Sequence, residues 1–201
     1  MLRAFVSAAI ALQLSRPAAF TERAPAIYQA SFETSKGTFV VEVHRAWAPL
    51  GADRFFNLVK SGFYDDCRFF RVIDSVLVQS GMHGDPKVQA AWAAATIPDE
   101  ASTESNRRGT VTLASAGPDT RSTQFFINLA DNGRLLDRRH LAPVGRVISG
   151  LDVVDSLYSG YGEGAPRGGG PDQSQIRAEG NAYLTRAFPK LDYIKRATIQ
   201  K

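Results

Sequence analysis

Arg71 stands in an otherwise apolar and aromatic run, Phe69-Phe70-Arg71-Val72-Ile73. A guanidinium stays charged and holds its donors in a rigid planar fork, so it suits a site that must meet an anion or a developing lone pair. The plainer alternative is an ordinary outward-facing strand residue. Gln79 and Gln124 also stand at strand positions among apolar residues. An amide there is either a ligand contact or a buried group satisfied by backbone. Gln124 directly precedes two rings, Phe125 and Phe126. Successive strand side chains point to opposite faces, so Phe125 is expected in a core, with Phe126 and Gln124 together on the other face.

Other reactive types are less organised. Ser115, Ser122 and Asp137 could be parts of a hydrolase triad, but there is no Gly-x-Ser-x-Gly elbow. His140 follows Arg138-Arg139 in a loop and reads as solvated, as do Asp65-Asp66 and Asp99-Glu100. His44, His83 and His140 lie far apart and outside any ligand-spaced motif, so no metal is expected. The single cysteine, Cys67, allows no internal disulfide and leaves stability to packing.

These residues sit in a chain of 201 residues with a formal charge of +4. That length fits one domain with a substantial core. The basic residues are dispersed, the densest spots being the pairs Arg107-Arg108 and Arg138-Arg139, so no nucleic-acid partner is expected. The N-terminus differs from the rest. Arg3 precedes an apolar run from Ala4 to Leu14, broken only by Ser7 and Gln13, and small residues follow as far as Ala26. The run is short for a bilayer span, which takes ~20 apolar residues, and suits a signal-peptide core. Residues 1–26 are therefore expected to be a secretory or periplasmic signal. An organelle (for instance plastid) transit peptide and an unprocessed tail are the alternatives. Residues 27–201 are expected to be the folded domain, monomeric and without stable membrane insertion.

Two alternating runs, residues 27–33 and 38–44, flank Ser35-Lys36-Gly37 and read as a hairpin. Residues 49–60 read as a helix with Pro49 in its first turn and Gly62 at its end. Strand-like runs follow at 68–73 and 76–80. Periodicity is lost from Met82 to Arg108, and strands return around Gly117-Pro118-Asp119 and at "LAPVGRVI". "SGLDVVDSLYSG" reads as a helix, with Ser149 and Asp152 resembling a capping box. The Gly-rich "GYGEGAPRGGGP" lacks the Gly-Lys-Ser/Thr ending of a phosphate loop and reads as a plain loop. A helical pattern with a weak point at Gly180 and a closing strand complete the chain. Periodicity alone predicts a mainly antiparallel β barrel or sandwich.

In order, "FFRVIDSVLVQSGMHGD", "GTVTLASAGPDTRSTQFFINLADNGRLLD" and "PVGRVISGLDVVD" resemble the cyclophilin family of peptidyl-prolyl cis–trans isomerases, over about Phe32 to Asp155. The resemblance implies a closed eight-stranded antiparallel barrel capped by two helices, near 49–60 and 151–158, with an extra helical segment at the C-terminus. It makes Arg71 the catalytic residue. It places Leu77, Gln79, Ala114, Ser115, Gln124, Phe126, Leu135, Leu136 and His140 around the substrate, with no cofactor. Counting back from Gly145 instead of forward from "LLD" puts Leu141 where His140 would otherwise stand. Val76 and Leu135 occupy positions where other members often have a phenylalanine and a tryptophan, and Ser115 one where they commonly have asparagine. The implied partners are proline-containing polypeptides. The alternative on the same fold is a low-turnover proline-peptide binding or chaperone module.

Overall fold

The computed structural model describes residues 11–139 and 141–200. Eight antiparallel strands make one curled sheet in the order β3-β4-β6-β5-β7-β2-β1-β8. They are β1 (Ile27–Thr34), β2 (Thr38–His44), β3 (Arg71–Ile73), β4 (Leu77–Ser80), β5 (Thr110–Leu113), β6 (Phe125–Asn128), β7 (Pro143–Ser149) and β8 (Ile194–Ile199). The helices are α1 (Pro49–Lys60), α2 (Pro86–Ala93), α3 (Gly133–Leu136), α4 (Leu151–Asp155), α5 (Gln173–Glu179) and α6 (Asn181–Ala187). No helix among the described residues is long and apolar enough to cross a membrane.

Alternation decides which face is buried. Ala30 and Phe32 on β1, and Phe39, Val41 and Val43 on β2, point inward with no exposed surface. Phe32 lies at the centre of an aromatic cluster, stacked on Phe39 at 5.0 Å between centroids and tilted against Phe55, Tyr64 and Phe125. Each such pair adds about 0.5–1.5 kcal/mol beyond its area burial. α1 brings Phe55 and Phe56 to this core and packs against β7 and β8, while α4 packs on β2. Gly37 turns the first hairpin at φ 143°, a value that favours glycine.

The expected closed barrel is met only in part. No ladder joins the edge strands β3 and β8, so the sheet is open there. Contact across the opening joins residues just before β3 to residues just before and at the start of β8. Arg68 bridges Tyr193, Phe69 N donates to Asp192 O (2.9 Å), Asp66 N to Ile194 O (2.8 Å), and Ile194 N to Cys67 O (3.0 Å). The contacts across the opening fall before β3 rather than along it, so no β3–β8 ladder forms.

Three further expectations change. The aperiodic stretch after Met82 contains α2, whose N-cap Asp85 accepts from Lys87 N and whose first residue is Pro86. These are ordinary helix-start signals, masked by an alanine-rich segment with little amphipathic contrast. The capping box at Ser149 and Asp152 does not form. Gly150, at φ 75°, occupies the N-cap of α4 with no side-chain cap. The acidic pair Asp99-Glu100 is structural rather than freely solvated. Glu100 Oε2 accepts from Leu50 N (3.0 Å) and Gly51 N (3.2 Å) at the start of α1, and lies 3.2 Å from Nη2 of the fully buried Arg121. A carboxylate there satisfies orphan amides and complements the helix dipole. The C-terminal helical pattern is broken at Gly180 into α5 and α6, as its weak point foretold.

The segment before β1 lies over α1 and α2. The Trp92 indole donates to Leu14 O (2.8 Å), Leu14 is 3% exposed, and the Phe20 ring packs on Trp92 at 5.6 Å. Asn57 Nδ2 donates to Glu22 O (2.7 Å), Lys60 pairs with the Glu22 carboxylate, and Ala24 N donates to Asp53 Oδ1 (2.9 Å). A chain beginning at Ile27 therefore exposes Trp92 and loses the burial of Leu14. Each change costs roughly 1–3 kcal/mol. We expect such a truncated chain to melt on the order of 10 °C below a chain beginning at residue 11, read by calorimetry. Equal melting temperatures would mean that the strap contributes nothing.

Candidate functional site

Cross-strand register sets the site. Arg71 on β3 is opposite Gln79 on β4, Gln79 is opposite Phe126 on β6, and Phe126 is opposite Thr112 on β5. Residues directly opposite share a face, so all four stand in one row on the outer side of the sheet. The adjacent row, Val72, Val78, Ile127 and Val111, forms the inner side and is buried in the core. The two rings therefore separate as alternation predicts. Phe125 is in the aromatic core, whereas Phe126, 5% exposed, belongs to neither packed core. Leu77, one step along β4, is likewise buried outside both cores.

The two candidate amides are not satisfied by backbone, as one reading of the sequence allowed. Arg71 Nη1 donates to Gln79 Oε1 (3.0 Å), Gln79 Nε2 to Gln124 Oε1 (2.8 Å), and Gln124 Nε2 to Gln173 Oε1 on α5 (3.3 Å). At the other end, Arg71 grips the Glu163 carboxylate in a two-pronged pair, Nε to Oε1 at 2.6 Å and Nη2 to Oε2 at 2.7 Å. Both side chains remain partly open to solvent. The hydrogen bonds and charge of Arg71 hold the Glu163 carboxyl below the usual glutamate range. Five side chains thus form one continuous polar chain across the face.

Glu163 and Gln173 belong to the segment after α4. There Tyr161, Ile176, Tyr183, Leu184, Phe188 and Leu191 make a small second core against Phe70 and Met82. The Gly-rich loop is therefore more than a connection. Neither residue was singled out in the sequence, because Glu163 lies in a loop with no period, 92 positions from Arg71, and Gln173 is one polar residue among several at the start of a helical pattern. The glycine pairs around Glu163 are the only local signal, since they mark a backbone that must approach closely.

A second network supports the neighbouring α3 region. Thr112 Oγ1 donates to Asn106 Oδ1 (2.8 Å), and Asn128 Nδ2 to Thr110 Oγ1 (2.9 Å) and Asn106 Oδ1 (3.1 Å). Asn106 Nδ2 donates to Asp137 Oδ1 (2.8 Å) and to Leu141 O (2.7 Å). Asn132 Nδ2 donates to Asn128 Oδ1 (2.9 Å) and to Val76 O (2.9 Å). Burial pushes the Asp137 carboxyl up, but its hydrogen bonds from Ser105 and Asn106 outweigh this and its pKa is lowered. α3, so anchored, presents Leu135 at 60% exposure and holds Leu136 half-buried. His140 lies outside the described residues, while Leu141 is half-buried.

The Ala114-Ser115 stretch is more constrained than expected. Ala114 N donates to Gln124 O (2.8 Å), so that amide is already used. The Ser115 hydroxyl donates to Gly117 O and meets Thr120 Oγ1 (3.1 Å) inside its own turn. The serine-triad alternative fails on geometry. Ser122 Oγ donates to Trp92 O (2.8 Å), and Asp137 is engaged with Ser105 and Asn106. Among the described residues no group of three or more His, Cys, Asp or Glu is placed to hold a metal ion.

Comparison with known proteins shows the family and the fold. The family model described as "Cyclophilin type peptidyl-prolyl cis-trans isomerase/CLD" matches residues 29–175. A peptidyl-prolyl cis-trans isomerase of Acinetobacter baylyi is 38% identical over 130 residues, 62% of this chain and 69% of that protein. The isomerase ppi1 of Schizosaccharomyces pombe is 35% identical over 131 residues, 62% of this chain and 81% of that protein. A cyclophilin type isomerase of Cryptosporidium parvum superposes with a TM-score of 0.63 at 21% identity, covering 87% of this chain and 98% of its own. A second crystal structure of that protein, in the presence of the dipeptide Ala-Pro, gives a TM-score of 0.62 at 21% identity, covering 86% of this chain and 99% of its own. With the family model matching residues 29–175, well over half of its length, the chain belongs to the cyclophilin type peptidyl-prolyl cis-trans isomerase family.

Proposed function

We propose that this isomerase accelerates rotation about X–Pro bonds in polypeptides and so assists their folding, with Arg71 as the electrophile and Phe126 as the floor of the proline pocket. The observation that carries the assignment is the outward row, in which a held guanidinium stands two strands from a ring outside both cores. The Cryptosporidium structure with Ala-Pro belongs to a protein of the same fold and fits the same substrate class.

An X–Pro amide is planar because its nitrogen lone pair is delocalised, and rotation faces ~18–20 kcal/mol. In the twisted transition state the lone pair localises on the prolyl nitrogen. A guanidinium N–H that donates to that nitrogen stabilises the twisted state more than either planar state, and that difference is catalysis. Arg71 has five N–H donors, of which three are engaged by Glu163 and Gln79, leaving two for the peptide. Phe126 and Leu77, with Leu135 and Leu136 on α3, form the apolar wall that would grip the proline ring and exclude water. The Gln79–Gln124 pair holds amide groups ready for the peptide backbone. No covalent intermediate is required.

A second reading keeps the groove and drops the turnover. It is favoured by the exposed Leu135 and Val76, which leave one wall of the pocket open to solvent. Rate measured beside affinity separates the two: tight peptide binding without acceleration would favour the binding module. The compartment is inferred from the N-terminal apolar run. N-terminal sequencing of the purified protein tests it, a start near Ile27 supporting export with cleavage and an intact N-terminus supporting retention.

Arg71→Ala should lower the isomerisation rate of a proline peptide at least tenfold, with melting temperature little changed. Arg71→Lys should rescue little, because an ammonium cannot reproduce the two-pronged geometry. Unchanged activity in Arg71→Ala would remove Arg71 from the mechanism, and unchanged activity in Arg71→Lys would show that the two-pronged geometry is not needed. Phe126→Ala should weaken peptide binding about tenfold or more, since a buried phenylalanine contributes roughly 1.5–3 kcal/mol. Calorimetric titration checks this, and an unaltered Kd would place the pocket elsewhere.

A further inference from the structure

The Gly-rich loop brings a carboxylate onto the arginine assigned to catalysis, and the loop is built to keep it there. Gly162 forms an antiparallel bridge with Val72, the residue next to Arg71, along the free edge of β3. Gly170 N donates to Glu163 O (2.9 Å), and Gly164 bridges Gly170. A Cβ at Gly170 would stand 2.8 Å from the Glu163 carbonyl oxygen, so the return of the loop requires glycine there. The carboxylate has a further fixed partner, for Gly164 N donates to Glu163 Oε1 (2.9 Å). Its orientation is therefore set by the loop as well as by Arg71.

Two roles are open to such a carboxylate. A mobile latch would sequester the guanidinium and slow catalysis. A fixed clamp would hold the guanidinium plane in advance of substrate and so remove the cost of ordering a long side chain in the transition state. The pinned backbone, the second anchor at Gly164 and the two donors left over on Arg71 all favour the clamp. We propose that Glu163 is a positioning residue for catalysis, fixing the Arg71 guanidinium from the Gly-rich loop after α4. Gln79 is its counterpart on the sheet, so that the guanidinium is held from both sides.

This inference rests on the isomerase reading above, and the test keeps the two apart. Exchange of a saturating X–Pro peptide between its isomers on the enzyme is measured by NMR for the wild type, Glu163→Ala and Glu163→Gln. Peptide Kd and the Arg71 Nε–H signal are measured in parallel. The expected result is an exchange rate about tenfold lower in Glu163→Ala and intermediate in Glu163→Gln. Kd should stay within about twofold, because the loss is confined to the transition state. The Arg71 Nε–H proton, which loses or weakens its acceptor, should exchange faster with water in both variants, and the lowered rate at unchanged Kd is the split that a merely structural role would not produce. Should Glu163→Ala fail to fold, the near-isosteric Glu163→Gln decides. An active wild type with either variant as fast or faster would overturn the positioning role alone. A wild type with no exchange would overturn the isomerase reading, and this inference with it.

Discussion

The site depends on a strand of three residues at the edge of the sheet. β3 holds Arg71 and pairs only with β4. Through that pairing Arg71, Gln79, Phe126 and Thr112 fall into one outward row, while Val72, Val78, Ile127 and Val111 fill the core. A slip of one residue would exchange the two rows, placing a guanidinium in the core and valines on the surface. The cost of burying an unpaired charge is what enforces the register. An edge strand this short also leaves backbone groups unpaired on its far side. The bridge from Gly162 to Val72 covers part of that edge, so the loop that carries Glu163 both protects β3 and reaches its functional side chain.

Polar groups under and beside the groove come in two satisfied sets. The chain from Glu163 through Arg71, Gln79 and Gln124 to Gln173 is anchored at both ends by the C-terminal segment. The asparagine set around Asn106 and Asn128 ties β5, β6 and the α3 loop together. The second set is buried and so specifies one geometry, because a half-made buried network is costly, whereas the first is partly open to solvent. The apolar residues between them, Leu77 and Phe126, are thereby held at the surface of the sheet without being part of its core.

Much of this was legible in the sequence, and for a consistent reason. The hairpin, α1 and the facing of Phe125 and Phe126 follow from local period. The candidate residues Arg71, Gln79 and Gln124 stood out as polar groups in apolar strands, and the structure brings them together. What was not legible came from contacts that no period encodes. Glu163 sits in a glycine-rich stretch with no pattern of its own, and Gln173 on a separate helix. Asn106 lies at the end of a stretch where periodicity had failed. α2 went unseen because alanine gives helical propensity without amphipathic contrast. The incomplete closure of the barrel depends on how two strands far apart in sequence meet, which alternation within each does not define.

The opening between β3 and β8 gives the single cysteine a meaning that its chemistry alone would not. Cys67 is fully buried, and its carbonyl accepts from Ile194 in the stitching across that opening. Burial raises its thiol pKa well above the ordinary range, so the sulfur is inert while the stitching holds. Alkylation must therefore wait for local unfastening of the final strand. The rate at which a thiol reagent labels this protein becomes a clock for the breathing of its seam, one built into the native sequence.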